Sequence, residues 1–200
     1  MAGLYKKLRN FLAHPVESVR VMLGLPVEGT AAGRWEDVSN LRENWDERTI
    51  RIAGMIPPGA AVIEFGAGRL VLRDHLPAGC SYQPSDIADR GAGTIVCDLN
   101  QGFPALPGHY THAVFSGVLE YIADIGGLVD SLKPHADTII ASYATIDRMP
   151  DLIKRKRRGW INHLSGEQFV AIFLERGFEL SDSSEWKNQT IYVFRSAGRA

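Results

Sequence analysis

Residues 60–68 read Ala60-Ala61-Val62-Ile63-Glu64-Phe65-Gly66-Ala67-Gly68, and the fold is decided by this stretch. A short apolar run ends in an acid, and two glycines follow at alternate positions. That order suits a buried parallel strand running into a tight turn where backbone passes close to a ligand. Leu70 to His75 behind it has the pattern of a helix start, which makes the unit strand, glycine turn, helix.

Downstream, short apolar runs alternate with helical patterns. Tyr82 to Asp86, Thr94 to Asp98, Tyr110 to Ser116 and Thr138 to Tyr143 read as further strands. Ile125, Leu128, Val129 and Leu132 form one face of a helix that Pro134 ends. Alternation of this kind indicates βαβ units and a parallel sheet. Ser165 opens a helix with a Ser-x-x-Gln capping box closed by Gln168, and Gly177 fits its C′ stop. The last two strands, Glu179 to Trp186 and Thr190 to Arg195, are separated only by Lys187 to Gln189, which fits an antiparallel hairpin. The expected fold class is therefore α/β: a doubly wound, mainly parallel seven-stranded sheet with helices on both faces and a C-terminal antiparallel hairpin.

Upstream, Ser39 is the expected N-cap of a helix with Leu41, Trp45, Ile52 and Ile56 as its stripe, stopped by Pro57-Pro58-Gly59. Residues 1–34 form a separate N-terminal helical arm, ahead of a domain over 35–200. In the arm Leu4, Leu8, Phe11 and Leu12 recur at helical spacing with Lys6, Lys7 and Arg9 on other faces, and Val16 to Leu25 follows Pro15. Packing on the chain's own domain, or on a second subunit of a homodimer, is favoured over membrane-surface contact through residues 1–25, because helical apolar stripes are usually core.

With 200 residues and a formal net charge of −1, nothing global points to nucleic acid. No run of about 20 apolar residues and no signal-type apolar segment occurs, so the expected location is cytoplasmic. Cys80 and Cys97 make no metal-type spacing and fit a reduced compartment. His109 and His112 fall on opposite faces of a strand, so no metal pair is expected.

Ligands of open α/β sheets bind outside the carboxyl ends of the strands. A dinucleotide turn wants a third glycine in G-x-G-x-x-G, but Val71 stands there, and Glu64 just before the glycines would repel a pyrophosphate. A cofactor with a cationic head fits better, and a nicotinamide-dependent oxidoreductase is disfavoured.

At these residues the chain resembles the class I S-adenosylmethionine-dependent methyltransferases, over roughly Trp35 to Arg195. Glu64-Phe65-Gly66-Ala67-Gly68 is similar to the family's first motif, and Asp86, followed by Ile87, to the acid that ends its second strand. Cys97-Asp98-Leu99-Asn100 is similar to its third-strand ending, and Phe115-Ser116-Gly117-Val118-Leu119-Glu120-Tyr121 to its fourth-strand motif. The resemblance implies S-adenosyl-L-methionine as cofactor and S-adenosyl-L-homocysteine as product. It implies that Gly66, Ala67 and Gly68 let backbone approach the cofactor and that Glu64 orients the loop and the amino end. Asp86 would accept from both ribose hydroxyls, Asp98 from the adenine amino group, and the Leu99 N–H would meet a ring nitrogen. Ser116, Gly117 and Leu119 would line the methionine arm.

The implied reaction is methyl transfer to oxygen or nitrogen of a small-molecule or glycan-like acceptor. His163, which follows the fifth-strand loop, is the candidate base, with Tyr143 as the weaker alternative. Trp45 and Tyr121 are candidates for cation–π contact with the sulfonium. The basic run Lys154 to Arg158 reads as a solvated loop or as a clamp for an anionic acceptor. The second functional reading is a catalytically inactive binding or scaffold protein that keeps the cofactor pocket.

Overall fold

The computed structural model describes residues 33–198, so almost all of the expected arm, residues 1–32, lies outside the described residues. Strands β1 (Ala61–Phe65), β2 (Ser81–Asp86), β3 (Ile95–Val96), β4 (Tyr110–Ser116), β5 (Ala136–Tyr143), β6 (Phe178–Trp186) and β7 (Gln189–Ser196) form one seven-stranded sheet. Its order is β3-β2-β1-β4-β5-β7-β6. The pairs among β1 to β5 are parallel, and β7 runs antiparallel to both β5 and β6. The fold class expected from the sequence is therefore the one observed. Strand order reverses between β1 and β4, which puts the crevice of the doubly wound sheet at their carboxyl ends.

Strand alternation sends successive side chains to opposite faces. On one face Ile63, Phe65, Ala113, Phe115, Ile139 and Phe194 pack against α4 (Ile125–Leu132) and α6 (Gly166–Leu174). On the other face Val62, Val114, Ile140, Ile191 and Val193 meet Ile52, Ala53 and Ile56 of α2 (Asp46–Ala53) and its following turn, with Leu72 of α3 (Val71–His75). Among the described residues there are two further short helices, α1 (Gly33–Glu36) and α5 (Leu152–Arg157). Ser165 caps α6 with the expected capping box, and Gly177 takes φ +78° where the chain leaves that helix. Among the described residues no helix is long and apolar enough to cross a membrane.

The segment before the sheet departs from expectation. Ser39 caps nothing; instead the Asp37 carboxylate accepts from Ser39 N at 2.8 Å and closes a 3-10 turn over Val38–Asn40. Leu41 and Arg42 are then extended, with φ −85°, ψ 111° and φ −84°, ψ 133°. The helix proper starts only at Asp46, after a second 3-10 turn at Glu43–Trp45. The expected stripe is therefore split: Ile52 and Ile56 enter the core, while Leu41 lies over the glycine turn, 3.3 Å from where a Cβ on Gly68 would sit. At the hairpin the connection is Lys187-Asn188, one residue shorter than expected, because Gln189 already pairs with Trp186.

Burial sets the cost of breaking this packing. Phe173 is fully buried and stacks on Phe194 at 3.9 Å between ring centres, whereas the next residue, Leu174, is 49% exposed. Phe173→Ala should lower unfolding free energy by about 3–5 kcal/mol, and Leu174→Ala by less than about 0.5 kcal/mol, both measured by urea denaturation.

Candidate functional site

The loops after β1 and β4 meet at the point where strand order reverses. A Cβ on Gly66 (φ +72°) would stand 2.4 Å from Val118 Cγ2, so only glycine lets the two loops touch. Gly66 N and Ala67 N both donate to Ser85 O, at 2.8 and 3.1 Å, and Gly68 N donates to Asp86 Oδ2 at 2.8 Å. The turn after β1 is thereby hung on the end of β2. Leu70 continues it in the left-handed region at φ 62°, a conformation that costs a side-chain-bearing residue about 1–2 kcal/mol.

A cavity of about 490 Å³ opens above these strand ends. One end is walled by Gly66 to Gly68, Asp86, Ile87, Asp98 and Leu99, and its middle by Glu64, Ser116 and Gly117. Trp35 lies over it, with its ring 6.1 Å from Trp45 and 5.3 Å from Tyr121 between centres. The far end is walled by Arg48, Arg158, Trp160, Trp186 and Gln189.

Two buried charge systems lie under the middle. Burial pushes the Glu64 carboxyl up from its ordinary 4.5 to about 8, offset in part by Tyr82, whose hydroxyl donates to Glu64 Oε2 at 2.5 Å. The ligand-free chain thus holds Glu64 largely neutral near pH 7. Arg48, on the sheet-facing side of α2, donates from Nε to Ser116 Oγ and from Nη2 to Ser116 O, both at 2.9 Å. Its Nη1 donates to Gln189 Oε1 at 2.8 Å, and Gln189 Nε2 donates to Glu120 Oε1 at 2.7 Å. Glu120 is fully buried and also accepts from Ala144 N at 2.9 Å. The glutamine thus relays a buried cation to a buried acid. Desolvation lowers the Arg48 pKa, and the Glu120 charge opposes that shift.

Comparison of sequences finds no matching family model and no matching curated protein. Comparison of structures does find matches. An O-methyltransferase of neocarzinostatin biosynthesis, solved with S-adenosylmethionine and 2-hydroxy-5-methyl naphthoic acid, matches with TM-score 0.64 at 15% identity, over 94% of this chain and 69% of its own. The mitomycin 7-O-methyltransferase matches with TM-score 0.62 at 15% identity, over 80% and 56%. Magnesium protoporphyrin IX methyltransferase from Synechocystis PCC 6803, solved with S-adenosylhomocysteine, matches with TM-score 0.57 at 17% identity, over 78% and 83%. The fold is that of the class I methyltransferases. The chain spans about half the length of some of these proteins, 56% of the mitomycin enzyme and 54% of a methyltransferase of calicheamicin biosynthesis.

Against this methyltransferase fold the sequence-derived residues separate into two groups. Glu64, Gly66, Ala67, Gly68, Asp86, Ile87, Asp98, Leu99, Ser116 and Gly117 all line the one cavity. Leu119 does not: it is 1% exposed and packs into the core beneath. His163 and Tyr143 are not among the lining residues either. His163 Nδ1 accepts from Arg155 Nε at 3.2 Å, and burial first, then Arg155, lowers its pKa. The Tyr143 hydroxyl donates to Asn162 Oδ1 and accepts from Leu164 N at 3.1 Å, and burial raises its pKa. Both side chains fasten the loop after β5, and neither is brought to this cavity. His109 faces Asp137 at 3.3 Å, while His112 lies against Thr111 Oγ1 at 2.9 Å.

Several residues were missed. Arg48 stands four and eight residues before Ile52 and Ile56, so a cation on the apolar stripe of that helix was the available signal. Glu120 lies within residues 115–121, where the sequence offers no sign that it pairs with a distant glutamine. Arg155, inside the basic run, is fully buried, with Nη1 donating to Ala144 O and Nη2 to Asn162 O at 3.3 Å. That run is helix α5 capped by Asp151, not a solvated loop.

Removal of one partner from the relay leaves the other charge buried and unpaired. Arg48→Ala should therefore cost about 3–5 kcal/mol of stability by urea denaturation. Glu64 binds its proton more tightly folded than unfolded, so its stabilising contribution is complete below pH 4.5 and is lost as the pH rises through about 8. In that window wild-type stability should fall relative to Glu64→Gln by up to about 1.4 kcal/mol per pH unit, measured as paired urea curves from pH 5 to 9.

Proposed function

We propose that this chain transfers a methyl group from S-adenosylmethionine to an oxygen or nitrogen of a small, anionic, partly planar acceptor. The observation that carries the proposal is that one cavity gathers the ends of β1, β2 and β4 with the turn after β3 and then continues onto a wall of cations and indole rings. The O-methyltransferase activity named for the neocarzinostatin and mitomycin proteins supports the reaction class. The cavity fits the cofactor chemically. Positive-φ glycines leave backbone exposed at Gly66, Gly68 and Gly117, and acids stand at the β2 end and in the turn after β3.

In this reading Gly66, Ala67 and Gly68 approach the cofactor through backbone, and Asp86 with Ile87 holds the ribose. Asp98 and the Leu99 N–H take the adenine edge, while Ser116 and Gly117 border the methionine arm. Glu64 meets the amino end, and Leu119 supports the wall from beneath. S-adenosylmethionine, when bound, supplies a methyl carbon already activated by its sulfonium. The residues then have to align and exclude water, because proximity supplies much of such a barrier. Trp35, Trp45 and Tyr121 enclose the space where a cationic sulfur gains from ring faces.

The acceptor end has no histidine among its lining residues. An acidic nucleophile, such as a phenol or a carboxylate, needs no strong base, and nearby guanidinium groups stabilise its anion. Arg48 uses three of its five N–H donors on protein, and Arg158 lies over Trp160 at 5.2 Å. A flat anion between indole rings suits this wall better than a glycan.

Isothermal titration of the full chain with S-adenosylhomocysteine should give saturable heat, and Asp86→Ala should weaken binding at least about tenfold. With S-adenosylmethionine, a panel of phenols and aromatic carboxylates should yield products heavier by one methylene, and Arg158→Gln should slow the acidic members more than neutral ones. No heat with wild type, or unchanged affinity in Asp86→Ala, would overturn the cofactor assignment.

A further inference from the structure

Arg90 follows Asp86 by four residues in the turn between β2 and β3, and its side chain is only 3% exposed although it lines the cavity. Its Nη2 donates to Asp86 Oδ1 at 3.0 Å and to Trp35 O, and its Nη1 donates to Glu36 O at 2.9 Å. One guanidinium therefore ties the acid at the end of β2 to the backbone that carries Trp35 over the cavity. Its Nε, however, has no hydrogen-bond partner among the described residues. An unpaired buried donor on a charged group is costly, and one on the guanidinium that already grips the Asp86 carboxylate points to a ligand that completes it.

Asp86 itself constrains that ligand. Its Oδ2 accepts from Gly68 N at 2.8 Å, and its Oδ1 accepts from Ala88 N at 3.2 Å as well as from Arg90. A carboxylate offers about four lone-pair sites, so one remains, on Oδ2. Asp86 alone is therefore one acceptor short for a vicinal diol whose two hydroxyls both donate to it. A hydroxyl also accepts, and Arg90 Nε–H is a donor in the right neighbourhood.

We propose that Arg90 is a cofactor-binding residue: its Nε–H donates to a ribose hydroxyl oxygen while the diol donates to the remaining site on Asp86, and the same guanidinium seats residues 35–36 so that Trp35 closes over the bound nucleoside. The proposal rests on the cofactor assignment above and adds to it a coupling between ribose recognition and the strap. A planar fork reaches the carboxylate, two carbonyls and the diol together, whereas a lysine ammonium has three donors on one point and cannot.

The test uses the full chain and its Arg90→Lys variant, which keeps a cation beside Asp86, with Arg90→Gln as a second variant if the first folds poorly by circular dichroism. S-adenosylhomocysteine should bind Arg90→Lys about 10- to 100-fold more weakly by isothermal titration. An analogue lacking both ribose hydroxyls should lose markedly less affinity between wild type and variant, whereas a purely structural arginine would penalise both ligands equally. Without ligand, trypsin should cleave after Arg42 faster in the variant, and S-adenosylhomocysteine should slow that cleavage in wild type only. Equal affinity of the two proteins for S-adenosylhomocysteine, or an equal penalty for the analogue, would overturn the ribose contact. Unchanged cleavage of the ligand-free variant would overturn the strap. Absence of any binding to wild type would instead overturn the cofactor assignment and the ribose contact with it, and the ligand-free cleavage would still decide the strap.

Discussion

The guanidinium of Arg48 is the interaction on which the crevice depends. It spans from α2 to both polar groups of Ser116 at the end of β4 and, through Gln189 of β7, to Glu120 in the turn after β4. Glu120 in turn holds Ala144 N, just past the end of β5. Three strand ends are thus tied by one chain of charge-assisted bonds in a region of low dielectric, where such bonds are strong and unpaired members are costly. A Cβ on Gly117 would lie 2.5 Å from Arg48 Nη1, so the glycine after β4 is what admits the arginine.

The same economy governs the other half of the cavity. The glycine turn after β1 leaves its N–H groups to the end of β2, and Asp86 collects a turn amide, a loop amide and Arg90. Backbone geometry is spent on closeness: loops touch where Gly66 meets Val118, and Leu41 drops onto Gly68. The N-terminal segment is accordingly broken into two 3-10 turns, since one straight helix could not carry Leu41 over the loop and Ile52 into the core at once.

The residues after β5 show how a charge run can mislead. Lys154 to Arg158 looks solvated by composition, yet Arg155 turns inward to the carbonyls of Ala144 and Asn162 and lies 4.9 Å over Trp160. Its neighbour Arg158 reaches the cavity. Residues three apart in one basic segment thus turn to the packed interior and to the cavity, and composition cannot separate them. His163 and Tyr143 are engaged in the same fastening, which residue type alone does not reveal.

The sheet, its hairpin and the row of strand-end residues can be read from the chain alone, because period-2 apolar runs, glycines and caps act locally and leave local marks. Glu64, Asp86, Asp98 and Ser116 were legible for that reason: each ends a strand or starts the turn after it, and the carboxyl edge of the sheet brings such residues together. What their side chains are free to do depends on packing between distant segments. Arg48 meets Gln189 across 141 residues, and Arg90 meets Trp35 across 55. Hydrogen-bond capacity is consumed by partners that distant, so which atoms of Asp86, Arg90, Tyr143 and His163 remain for a ligand is a property of the packed molecule and of no segment within it.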